Sequence, residues 1–139
     1  MIAKLFIETM HLDVDENLVI TACLLYDCKK NQDAQSLDKV KNSAQESADF
    51  LKRLGFSDRF CKICLEHNRY NNNMQREKES DILELVDQLG GMMIDREERR
   101  GFPIDEAMVL LEYRNLKDSN NFFIKEFKEF INMEMEIVV

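Results

Sequence analysis

Residues 18–27 read LVITACLLYD, and the fold turns on how this stretch is taken. It is apolar nearly all round, and a helix without a polar face belongs at the centre of a helical bundle. Immediately upstream, the turn HLDVDE supplies Asp15 as a cap for this helix. Before that turn, residues 2–10 form a helix with Ile2, Leu5, Phe6 and Met10 on one side.

Downstream, residues 28–41 are polar and unpatterned. Ala44, Ala48, Leu51 and Leu54 then recur at helical spacing until Gly55 stops the helix in a C′ position. Ser57 caps the next segment, in which Phe60, Ile63, Cys64 and His67 fall at i, i+3, i+4 and i+7, so His67 is expected on the buried stripe. RYNNNMQREKES is a loop by composition. Ser80 opens a helix over DILELVDQLGGMMI, with Ile82, Leu83, Val86 and Leu89 on its apolar face and Asp87 at the edge. A further helix is predicted over residues 104–113, and a last one carries Phe123, Phe127, Phe130 and Ile131. The closing MEMEIVV reads as a short strand or a frayed tail.

These patterns define an all-α class: one compact helical domain over residues 1–139, with no internal repeat and Pro103 as the only proline. Nine Phe and eight Met give it material for a core. The 27 acidic residues outweigh 19 basic ones, a formal charge of −8 that repels a phosphate backbone and argues against nucleic acid as a partner. A small anionic ligand needs only a local basic cluster and stays open. No apolar run approaches the roughly 20 residues of a membrane-spanning helix, and MIAKLFIETMHLD turns polar too early for a signal peptide. The expectation is a cytoplasmic protein without a membrane partner, whose Cys23, Cys28, Cys61 and Cys64 stay reduced. CKIC admits a zinc or redox reading, but both thiols lie within one helix with no second close pair, so packing is the simpler role.

Three polar residues stand on or beside apolar faces: Asp27, His67 and Asp87. A histidine and two carboxylates from three helices are the ligand types that hold hydrolytic metals in helical bundles. The order and context of these residues resemble the HD superfamily of metal-dependent phosphohydrolases. LVITACLLYDCKK is similar to its signature, an apolar helix ending in His-Asp, any residue, Gly, Lys, with Tyr26 replacing the histidine and Asp27 and Lys30 kept. NSAQESADFLKRLGF looks like the helix that opens with a histidine, with Ser43 at that place. ICLEHNRYNNN is similar to the paired-histidine stretch of the HD-GYP subgroup, with Glu66 and His67 on the pair. DILELVDQLGGMMIDREERRGFPIDEAMVLL resembles that subgroup's Ala-Asp helix, Asp-Arg-Pro loop and Glu-Ala helix, with Asp87, Asp95, Arg96, Arg99, Glu106 and Ala107 on pattern. The resemblance covers about residues 2–112, leaving a C-terminal helix and tail over 113–139.

The resemblance implies a helical domain whose intact members hold two or three metal ions, often iron, and hydrolyse cyclic di-GMP. This chain departs from that pattern where it matters. Tyr26, Ser43 and Glu66 occupy histidine positions, the family's first histidine would stand a few residues before Met1, and the Gly-Tyr-Pro loop is missing from NNNMQREKE. Metal ions generate the nucleophile in such chemistry, so losing ligands removes the reaction rather than tuning it. Three readings follow. The first is a divergent, catalytically inactive HD-GYP-like domain, without cofactor, serving as a regulatory or protein-interaction module with a protein partner or as a homo-oligomer. The second is a reduced phosphohydrolase acting on a cyclic di- or other nucleotide, with one Mn, Fe or Zn ion on Asp27, His67, Asp87 and Glu66. The third is a non-metal nucleotide sensor using Lys30, Arg96 and Arg99 on phosphate. Beside these stand plainer roles: Asp27 paired with Lys30, His67 a hydrogen-bonded core histidine, Asp87 tied to Tyr26 or a backbone amide, and DREERR a charged turn of structural ion pairs.

Overall fold

A computed structural model describes residues 1–29, 37–67, 75–95, 97, 99–117 and 121–138. Among them there are seven α-helices and no strand: α1 (Ile2–Thr9), α2 (Glu16–Leu25), α3 (Leu37–Arg53), α4 (Asp58–Leu65), α5 (Lys78–Met93), α6 (Ile104–Lys117) and α7 (Ile124–Val138). The all-α class holds. None of these helices is long and apolar enough to cross a membrane. The chain divides into two compact units, a middle one over Val14–Glu84 and a terminal one made of Met1–Asp13 and Leu85–Val139, with α5 contributing to both.

In the middle unit, local chemistry sets the helix ends. The Asp15 carboxylate accepts from the Leu18 amide at 3.2 Å, and the Ser57 hydroxyl accepts from the Phe60 amide at 3.1 Å, each satisfying a first-turn N–H that has no partner within its helix. After α3, Gly55 takes φ +100°, the Gly55 amide reaches the Lys52 carbonyl and the Phe56 amide reaches that of Leu51. This is a Schellman ending, with glycine at the left-handed position. The core collects Ala22 of α2, Ala48 and Leu51 of α3, Phe60, Ile63 and Cys64 of α4, and Leu83 of α5. Helix α3 packs on α4, and Ser43, Ala44, Ser47 and Ala48 are small buried residues on it. The expected centrality of α2 fails: Val19 and Ala22 are buried, but Leu24 is 66% exposed. An apolar helix meets the core with one side, and here the other side stays outside this packing.

In the terminal unit, Phe6 of α1 meets Phe127 and Phe130 of α7 at ring-centroid distances of 5.0 and 5.3 Å, and Phe123 just ahead of α7 at 6.5 Å. Edge-on and tilted contacts of this kind add to the burial of aromatic surface. The Asn121 side-chain oxygen accepts from the Phe123 amide at 2.9 Å and shapes the entry to α7. Buried Asn115 of α6 donates both to its own Leu111 carbonyl and to the Gln88 side chain of α5, at 2.8 and 2.7 Å. The C-terminal segment read as strand or tail is helix up to Val138. The helix predicted to end at residue 113 runs to Lys117.

Candidate functional site

The turn that follows α2 carries Tyr26 and Asp27. Tyr26 closes the helix, its amide donating to the Ala22 carbonyl at 2.8 Å, and its half-buried ring lies 4.8 Å from that of His67. Asp27 is exposed in the same turn. The turn is held to α3 by the Lys29 amide, which donates to the Ser47 hydroxyl at 3.0 Å, while the Lys29 ammonium sits over the Phe50 ring at 4.4 Å. Lys30 lies outside the described residues. Ser43 is buried on α3.

His67 stands two residues past the end of α4, in a turn rather than on the helix, and is buried as its stripe position predicts. Its Nδ1 is 2.8 Å from the Cys64 carbonyl oxygen. A carbonyl can only accept, so Nδ1 carries the proton and, in the neutral ring, Nε2 bears the lone pair. The ring is therefore fixed on two sides, by this bond and by Tyr26.

Glu66 is fully buried and points to the start of α5. Its Oε1 accepts from the Ser80 hydroxyl at 2.8 Å and from the Glu77 amide at 3.2 Å, while Oε2 has no hydrogen-bond partner among the described residues. A carboxylate here meets the positive end of the α5 dipole. Ser80, expected to open α5, instead sits inside its first turn, because the helix begins at Lys78. Around this junction lies a group of buried acids that the sequence pattern did not single out: Glu79, Asp81 and Glu84. Arg59 explains part of it, bridging Asp15 at 3.6 Å, Glu77 at 3.5 Å and Glu79 at 2.8 Å. Arg76 explains the rest, reaching Asp81 at 2.9 Å and Glu84 at 3.6 Å. Only Arg76 stands near these acids in the sequence, while Arg59 reaches Glu79 from 20 residues away, and buried carboxylates require such partners.

The remaining candidates are in the terminal unit. Asp87 is half-buried on α5. Arg96 lies outside the described residues. Arg99 folds back on the end of α5, donating to the carbonyls of Gly91 and Met92 at 3.3 and 3.4 Å and to that of Arg100 at 3.1 Å, with its guanidinium 4.7 Å from the Phe102 ring. Last-turn carbonyls lack partners within a helix and carry its negative end, so a cation there is well used. These contacts engage both terminal nitrogens of the Arg99 guanidinium, and Glu98 of DREERR lies outside the described residues. Asp95 accepts from the Gly101 amide at 2.7 Å, and the Phe102 amide donates to the Met92 carbonyl at 2.8 Å.

The four cysteines are free. Burial, and then the neighbouring thiols of Cys61, Cys28 and Cys23, push the Cys64 thiol from its ordinary 9.0 up to about 12. Burial, and then Asp58, also raise Cys61. Both thiols of CKIC thus favour the protonated, unreactive form. Among the described residues, no three His, Cys, Asp or Glu side chains are arranged to hold a metal ion. A scan against protein-family models and searches of curated proteins and of solved structures gave no significant match.

Proposed function

We propose that the chain is a divergent HD-GYP-like domain that has lost its catalytic centre and works as a regulatory or protein-interaction module of the cytoplasm. The observation that carries this reading is the packing of Tyr26 on His67. By the resemblance, Tyr26 stands where intact relatives hold a metal-binding histidine, and a phenol is a poor ligand for a hydrolytic ion. Two further features support it. Glu66, at a second histidine position, is engaged with the Ser80 hydroxyl and the Glu77 amide, and Asp27 is exposed.

One observation favours the alternative, a reduced one-metal phosphohydrolase. Metal-binding histidines commonly donate their other ring N–H to a carbonyl, as His67 does to Cys64. An assay of cyclic di-GMP hydrolysis with added manganese or iron separates the two. The module reading expects no turnover above a metal-only control. Turnover that disappears in Asp27→Ala and His67→Ala would establish the alternative.

A further inference from the structure

Helix α6 turns Ala107, Met108 and Leu111 into the core, yet its opposite side is apolar too. Val109 is 68% exposed, Tyr113 59% and Leu110 40%. Residues three and four apart are neighbours on a helix surface, so these three form one stripe rather than scattered singles. A continuous exposed stripe of large apolar groups marks an interaction surface more often than isolated ones do.

The charges at its ends indicate what fits it. Glu106 lies one turn before Val109 and Leu110, Arg114 follows Tyr113, and both are exposed without an ion pair among the described residues. The nearby acid Glu112 is already paired with Lys128 of α7 at 3.0 Å. The stripe therefore runs from a negative end to a positive end, about 12 Å apart at 1.5 Å per residue. Such a surface is its own complement when a second copy is laid across it in the opposite direction. A two-fold axis at Leu110 brings residue 106 of each copy opposite residue 114 of the other. Both charge pairs then form, and the apolar residues cover one another. The parallel arrangement sets like charge against like. We infer that the exposed face of α6 is the contact through which two copies of this chain associate, antiparallel, about Leu110.

One three-turn helix face lies at the lower end of the area that stable interfaces bury, so the association is weak and depends on concentration. The inference rests on α6 alone and is independent of the reading of Tyr26 and His67. Sedimentation velocity from about 1 µM to about 1 mM tests it, the range in which a weak dimer populates both states. The wild-type chain is expected to shift from monomer towards dimer. Val109→Glu, at an exposed position, should keep its helical circular dichroism and weaken association at least about 10-fold, as loss of a central interface residue does. Arg114→Glu should also weaken it, and adding Glu106→Arg to that variant should restore it, because the swapped charges again face each other. A wild-type chain that stays monomeric throughout, a dimer indifferent to Val109→Glu, or a double variant no tighter than Arg114→Glu overturns the inference.

Discussion

Glu66 joins α4 to α5 through a single carboxylate oxygen, and the two groups that donate to it, the Ser80 hydroxyl and the Glu77 amide, have no other acceptor in that bond pattern. Glu66→Ala would strand two donors at a buried site, a loss of about 1–3 kcal/mol for each unsatisfied group. Glu66→Gln keeps an acceptor there and should lose less. Denaturant midpoints at unchanged m-value measure the difference, and an alanine variant as stable as wild type would remove the anchoring role. Cys64 offers a second test at this scale. Its folded-state pKa of about 12 lies above the ordinary 9.0, so between these values the unfolded chain binds fewer protons than the folded one. Its contribution is thus fully present below pH 9 and is lost as pH rises towards 12, at up to about 1.4 kcal/mol per pH unit. Comparing stability near about pH 8 and about pH 10 should show a steeper decline for wild type than for Cys64→Ala. Equal slopes would count against this origin.

Helix ends were the legible part of each element, since caps are local. Asp15, Ser57 and Gly55 work as their sequence positions indicate. The beginning of α3 at Leu37 was passed over, although Leu37, Val40 and Ala44 stand at i, i+3 and i+7, because the polar residues between them obscure that period. The helical C-terminus was not legible, since MEMEIVV extends a helix already nucleated by the phenylalanine stripe, and propagation outweighs the lower propensity of its β-branched residues. The turn after α1 was legible as HLDVDE, but its left-handed residue was not. His11 sits at φ +52° with its amide on the Glu8 carbonyl, and the Leu12 amide on that of Ile7, a Schellman ending without glycine. His11→Gly should stabilise by about 0.5–1 kcal/mol, the left-handed strain relieved less the added chain entropy. A lower melting temperature for that variant would contradict it. The opposite case is Gly101, where an added Cβ would overlap the carbonyl of Met93. Gly101→Ala should disturb the fold-back of Gly101 onto the end of α5 and destabilise by about 1–3 kcal/mol, as overpacking does. Thermal melts check this, and an unchanged midpoint would mean that the fold-back is not as tight as described.

For the molecule as a whole, the helical class was readable from periodicity, whereas the proposed chemistry rests on a resemblance alone. Sequence spacing could put His67 on a buried face and Asp27 at a helix end, but it could not show which way Glu66 turns or what Tyr26 packs on. Those depend on groups from segments distant in the chain, the Ser80 hydroxyl and the Glu77 amide in one case and the His67 ring in the other. The acids around α5 were missed for the same reason, since Arg59 and Arg76 neutralise them only in three dimensions. The central claim is that Tyr26 and Asp27 mark a vacated metal position. It is tested most directly by the metal content of protein purified without chelator, determined by elemental analysis per mole of chain. The account predicts well under one equivalent of iron, manganese and zinc taken together. One full equivalent that is lost on both Asp27→Ala and His67→Ala would contradict it and make Asp27 a ligand.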